Sequence, residues 1–300
     1  MTEFLQHIIN GLSVGAIYAL IALGYTMVYG VLKLINFAHG DVFMVGAMMA
    51  FYTSSKWSSE AQHPTIGGAV LIAVISMAIC GLIGFVIERV AYRPLRSAPR
   101  INSLITAIGV SFFIEYGGQV VFGPTPNAFG ILPPLPPVQV GGLSIGAVDI
   151  ITMAVALALM FGLQRIVFHT RLGTAMRAVS HNPDVAALMG VNVDFIISFT
   201  FVLGSVLAAA AGILFASKYP SVQPLMGLMP GLKAFVAAVI GGIGNVPGAM
   251  VGGLLLGLIE QLVSGYFSSQ WKDAVAFALL ILILLVKPSG LLGRATAEKV

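Results

Sequence analysis

Asn36, His39 and Asp41 stand within six residues of one another, in Asn36-Phe37-Ala38-His39-Gly40-Asp41, between apolar runs Leu12–Leu32 and Val42–Tyr52. An amide, an imidazole and a carboxylate so placed can hydrogen bond a polar solute or hold a freed backbone. Gly40 allows a sharp turn or a close approach. One His and one Asp do not complete a metal-ligand set. Two readings fit: part of a path or gate, or a polar turn joining two helices at a membrane interface, which nearby Lys33 would favour. Two further acids, Glu115 and Glu260, stand alone in apolar stretches, where an ionised carboxylate costs several kcal/mol unless it is paired or hydrated. They could bind a substrate ammonium or form structural hydrogen bonds. Glu88, beside Arg89, reads as an anchor at the end of a span.

The elements that must position these groups are set by composition. The chain has 300 residues, 58% of them hydrophobic and 9% charged. The globular norm for charge is about 25%. An all-α polytopic membrane protein, one domain over residues 1–300, is therefore expected. Helical spans of roughly 20 apolar residues fit at 8–31, 35–53, 66–88, 101–122, 146–168, 194–217, 226–243, 246–265 and 273–287. That is nine crossings, within a range of eight to ten, since broken or re-entrant segments alter the count. A cleavable leader is not expected, because the first apolar stretch is too long and lacks a basic start. The net charge of +4 is not a clustered basic stripe on a soluble fold, so nucleic acid is not an expected partner. The single cysteine, Cys80, excludes an intrachain disulfide.

Basic residues orient the chain. Lys33, Arg89, Arg93, Arg96, Arg100, Arg165, Arg171, Arg177, Lys287, Arg294 and Lys299 fall on one side, eleven of the fifteen. That side is expected to be cytoplasmic, with the C-terminus inside and the N-terminus outside. The outer loop 123–145 carries Pro124, Pro126, Pro133, Pro134, Pro136 and Pro137, which forbids a helix and favours an irregular or polyproline segment. It would cap the outer mouth or dock an external partner.

The inner loop 169–193 contains a short helix with its punctuation written in. Asn182 is the N-cap, Pro183 the first helical residue, Asp184 complements the dipole and Gly190 suits a left-handed stop. Val185, Leu188 and Met189 share a face. Such a helix can enter a groove on a partner or lie on anionic lipid. Gly241-Gly242-Ile243-Gly244-Asn245-Val246-Pro247-Gly248 joins two short spans. Gly244, Gly248 and Gly252 recur every four residues, as do Gly253 and Gly257. These give smooth packing faces or a broken helix whose backbone meets substrate. The pattern G-x-x-x-x-G-K-[ST] needs a Gly-Lys pair, and none occurs, so no ATP site is expected here. No arrangement of nucleophile and base points to an enzyme.

Four stretches carry a resemblance. They are Tyr18–Gly30 running into Ile35–Asp41; Glu88–Arg96; Thr170–Ala178 followed by Asn182, Ala186, Leu188 and Gly190; and Lys233-Ala234-Phe235 through Gly241–Ala249. Together they resemble the LivH-type permeases of branched-chain amino acid ABC importers, over nearly the whole chain. The resemblance is specific for the family and less so for the substrate, since urea and short-chain amide importers use similar permeases. It implies a bacterial inner-membrane subunit that pairs with a sister permease, two cytoplasmic ATPases and a periplasmic binding protein, with ATP-Mg held by the ATPases and no cofactor on this chain. It assigns ATPase coupling to Arg171, Gly173, Arg177, Ala178, Asn182, Ala186, Leu188 and Gly190. Expected path or gate residues are Asn36, Phe37, His39, Gly40, Asp41, Met44, Met226, Phe235, Gly241, Gly242, Gly244 and Gly248. A rival reading from another class is an ion-coupled secondary transporter with Glu115 and Glu260 as its coupling acids.

Overall fold

A computed structural model describes residues 2–57, 64–96, 98–133 and 135–293. Pro134, Arg294 and Lys299, on which parts of the expected outer loop and basic tail rest, lie outside them. Eleven α-helices are described: α1 (Thr2–Leu32), α2 (His39–Lys56), α3 (Ile66–Ile87), α4 (Arg100–Phe122), α5 (Ala147–His169), α6 (Arg171–His181), α7 (Pro183–Leu188), α8 (Val193–Lys218), α9 (Leu228–Gly241), α10 (Val246–Tyr266) and α11 (Trp271–Val286). A π-helical turn, Glu88–Tyr92, and a 3-10 turn, Arg93–Leu95, follow α3.

Each of the nine expected apolar segments is a helix. Six are long and apolar enough to cross a membrane: α1, α3 with its extension, α4, α5, α8 and α10. Among the described residues, six helices are thus candidate spans by length and composition, and the remaining expected segments are shorter or less apolar helices. The others have 18, 14 and 16 residues in α2, α9 and α11, and two of them are short for a reason given below. Helix starts follow local chemistry. Thr65 Oγ1 accepts from Gly68 N–H at 3.0 Å before α3, and Asn192 Oδ1 from Phe195 N–H at 3.1 Å before α8. Both satisfy backbone donors that a helix start leaves open.

The outer loop departs from the expected irregular segment. Val138–Val140 (β1) and Leu143–Ile145 (β2) form an antiparallel hairpin. Its turn is Gly141-Gly142, both at positive φ (54° and 85°), which suits a two-residue hairpin. Two further short strands, Asn127–Ala128 and Ser221–Val222, pair antiparallel. Gln6 in α1 donates to the Ser144 carbonyl at 3.0 Å, so α1 begins at this hairpin end. At the other end of α1, Ser180 Oγ in α6 donates to the Gly30 carbonyl at 2.5 Å. The described chain finishes at this α6–α7 end, where Leu291 N–H donates to the Ile240 carbonyl.

α1 is the central helix, its middle buried from Ser13 to Val28. It lies on α10 through small residues. A Cβ on Gly15 would come within 2.8 Å of Leu254 Cα, and Cβ atoms on Gly253 and Gly257 would strike the backbones of Ala19 and Gly15. Where lipid removes the hydrophobic drive between helices, such close approach supplies the van der Waals attraction that holds them. Gly252 and Gly248 face the other way, onto Ala237 and Gly241 of α9. The two glycine rows of α10 therefore serve two different partners. α4 and α11 are peripheral, with exposed Phe113, Val120, Val121 and Leu285.

Candidate functional site

α2 and α9 are short because both begin inside the bundle. After α1 ends, Lys33 takes a left-handed backbone (φ 56°), and the chain turns back beside α1 until His39 packs against Gly24. Gly24 lies six residues before Gly30, about 9 Å along the helix axis. The chain after Val222 descends likewise, and Gly227, just before α9, packs against Gly40. A Cβ on Gly40 would come within 3.0 Å of the Gly227 oxygen and 3.2 Å of Gly231 Cα. The two helix starts thus meet backbone to backbone, as Gly40 permits.

A narrow cavity of about 60 Å3 opens beside this meeting point. Asp41, Ser111 and Glu115 form its polar wall, and Tyr25, Phe37 and Leu232 also line it. Ser111 Oγ donates to Asp41 Oδ2 at 2.5 Å, and Glu115 stands beside Asp41. No cationic side chain among the described residues is paired with either carboxylate. A larger groove of about 310 Å3 runs between the turned-back segment and α4 toward the α6–α7 end, lined by Tyr29, Lys33, Ile35, Ile101 and Leu104. Cavity and groove lie along the same pair of elements.

The other expected path residues divide. Phe37 and Phe235 rings sit 6.5 Å apart, with Tyr25 6.1 Å from Phe235. His39 is fully buried, its ring 4.7 Å from Tyr25. Met44 is buried with its methyl 3.4 Å from a Cβ on Gly118, and Met226 is buried too. Asn36 is buried and accepts from Tyr92 O–H at 2.8 Å. Gly241 and Gly248 are pressed together, Gly242 lies on Gly293, and Gly244 (φ 89°) forms the turn between α9 and α10. These four glycines are not brought to the cavity.

Glu115 does not meet the buried lysine, Lys233. Lys233 Nζ instead donates to Glu260 Oε1 at 2.7 Å and pairs with Asp273 Oδ1 at 2.6 Å. Lys233 and Glu260 are both buried, so each charge answers the other where hydration is missing. Glu88 stands at the end of α3 with its side chain fully buried in the protein, paired with Arg96 rather than with neighbouring Arg89 and accepting from Ser198 Oγ at 2.6 Å. Arg96 donates to Asp194 Oδ1 at 2.5 Å, and Arg93 pairs with the same carboxylate. The sequence shows these charges but not that α8 supplies their partner.

Helices α6 and α7 project from their end of the bundle. Thr170 Oγ1 caps α6 by accepting from Gly173 N–H at 3.1 Å. Gly173 has no room for a side chain against the carbonyls of Ile166 and Val167. Arg177 donates to the Val167 carbonyl and lies over the Phe168 ring. Arg171 and Ala178 are exposed. Asn182 Oδ1 accepts from Asp184 and Val185 N–H at 3.0 and 3.1 Å, and Gly190 has φ 84°, as the punctuation predicts. Ala186 is buried against the bundle, while Val185, Leu188 (86% exposed) and Met189 (80% exposed) face outward.

Comparison with known proteins adds the following. Residues 7–284 match the family model described as branched-chain amino acid transport system / permease component. The high-affinity branched-chain amino acid transport system permease protein LivH of Escherichia coli (strain K12) is 43% identical over 317 residues, covering 99% of this chain and 98% of that protein. Its counterpart BraD of Pseudomonas aeruginosa is 42% identical, with the same coverage. The ribose import permease protein RbsC of Escherichia coli (strain K12) is 26% identical, covering 93% of this chain and 84% of that protein.

Proposed function

This chain belongs to the branched-chain amino acid transport system permease family, and on that premise we propose that it is the membrane subunit through which an ATP-driven importer passes leucine, isoleucine or valine. It is a multi-pass membrane protein and works with partner subunits. The finer reading is a sister permease beside it, two ATPases at the α6–α7 end and a periplasmic binding protein at the hairpin end. It sits in a bacterial inner membrane with its C-terminus in the cytoplasm, where positive residues concentrate.

The observation that carries the reading is α7. A six-residue helix, firmly capped at Asn182, holds Val185, Leu188 and Met189 away from the bundle. An apolar face offered this way fits a groove on another protein, and a chain without its own phosphate-binding loop needs its energy delivered there. Arg171, Gly173, Arg177, Ala178, Ala186 and Gly190 shape and orient that face. ATP binding would draw the ATPases together and move α7. The path would then open along the groove and cavity between the turned-back segment and α4. Phe37 and Phe235 would meet the aliphatic side chain, and Asp41 and Glu115 the ammonium group. No chemistry is done on the solute.

Reconstitution with the sister permease, ATPases and binding protein tests this. ATP-dependent uptake of radiolabelled leucine, not competed by urea, short amides or ribose, is the expected result. Leu188→Glu should lower it at least tenfold while this chain still folds. Uptake that persists without the ATPases would replace the proposal with a secondary transporter, and competition by urea or ribose would change the substrate.

A further inference from the structure

We propose that the segment Glu88–Arg96 is a relay carrying movement of α7 to the cavity where α2 and α9 begin. The inference rests on the reading of α7 as the face that meets an ATPase.

α7 and the first turn of α8 are one hydrogen-bonded unit. Val191 N–H donates to the Ala186 carbonyl at 3.0 Å, and Asn192 caps α8 directly afterwards. A displacement of α7 therefore reaches Asp194. Asp194 is gripped by Arg93 and Arg96, both from the segment after α3. Glu88 fixes the same segment to α8 a second time, through Ser198.

The segment's other contacts lead to the cavity. Tyr92 precedes Arg93, is buried, and donates to Asn36 at 2.8 Å. Asn36 opens the turned-back motif whose Phe37, Gly40 and Asp41 line the cavity. The segment also runs on into α4, which supplies Ser111 and Glu115. The two elements that carry Asp41, Ser111 and Glu115 thus both adjoin residues 88–96.

The backbone there is built to give. It passes from α-helix to one π turn and one 3-10 turn, a change of hydrogen-bonding pattern that often marks a hinge or a functional site. The charges are graded to match. Glu88 is sealed in, whereas the Asp194 side chain is 46% exposed and that of Arg93 34%. Exposed pairs are weak and exchangeable. The geometry is a buried pivot at Glu88, joined through Arg96 to a half-exposed charge cluster on Asp194.

The test uses the complete reconstituted assembly with a nitroxide label at Leu34→Cys, reporting on the turned-back segment. Adding ATP-Mg should change the label's mobility in the parent. Tyr92→Phe and Asp194→Asn should each shrink that change at least fivefold while ATP hydrolysis stays within twofold. Asp194→Glu, which keeps the carboxylate, should restore the response. The relay is refuted by a parent label that ignores ATP, by variants that keep the full response, or by hydrolysis falling in step with the response. The label needs no solute. Leucine uptake is measured on the unlabelled parent, because Leu34 lines the groove, and an intact label response beside failed uptake there supports the relay and refutes only the substrate reading.

Discussion

Around Gly40 and around Gly248, glycine lets one backbone lie directly on another, but the surroundings differ. At Gly248 the contact is sealed. Gly241 fits against it with no space for a methyl group, Leu292 N–H donates to the Gly241 carbonyl at 3.1 Å, and Asn245 Nδ2 donates to the Leu292 carbonyl at 2.5 Å. At Gly40 the same kind of contact has a cavity beside it, with two carboxylates facing no cation among the described residues. In a membrane protein, glycine spacing alone does not separate a weld from a passage. What separates them is whether polar groups that water or a solute could satisfy stand next to the glycine.

The comparison can be broken by substitutions on each side. Gly241→Val puts branched carbon into the backbone of Gly248, which cannot yield as a side chain would. Overpacking of this kind costs about 3 kcal/mol, and the purified variant should show a clearly lowered thermal midpoint and a smaller monodisperse peak. An unchanged midpoint would mean the weld is not one. Asp41→Asn keeps the size and the Ser111 hydrogen bond but removes the acid. Leucine uptake by the reconstituted assembly should fall about tenfold, equivalent to about 1.4 kcal/mol, with the midpoint held. A variant that instead unfolds would move Asp41 into the structural class. Asn245→Ala removes the cap of α10, worth about 1 kcal/mol. It should lower the midpoint slightly and leave uptake per folded molecule unchanged. Loss of transport without loss of stability would draw the 241–248 turn into the path after all.

Local features were the legible ones. Hydropathy marks the nine apolar segments because lipid acts on each residue separately. Asn182 and Gly190 delimit α7 because capping involves neighbours in the chain. The hairpin signal in Val138-Gln139-Val140-Gly141-Gly142-Leu143-Ser144-Ile145 is equally local, but it directly follows a run of prolines that by itself predicts an irregular segment. What could not be read were pairings across the chain. Asp41 finds Ser111 and Glu115, Glu88 finds Ser198, and Lys233 finds Glu260 and Asp273. Nor does hydropathy show where in the membrane a helix begins, so α2 and α9 read as spans of ordinary origin.

The backbone contact of α1 with α10 bears on how the chain is made. α1 leaves the ribosome ahead of its main partner, which follows more than two hundred residues later. At about 5–20 residues per second, Gly15 waits roughly 10–50 s for Gly257. During that interval the smooth face of α1 is open to lipid, to the insertion machinery and to unfinished copies of the same chain. A chain interrupted before α10 would leave its central helix without the backbone contact that holds it.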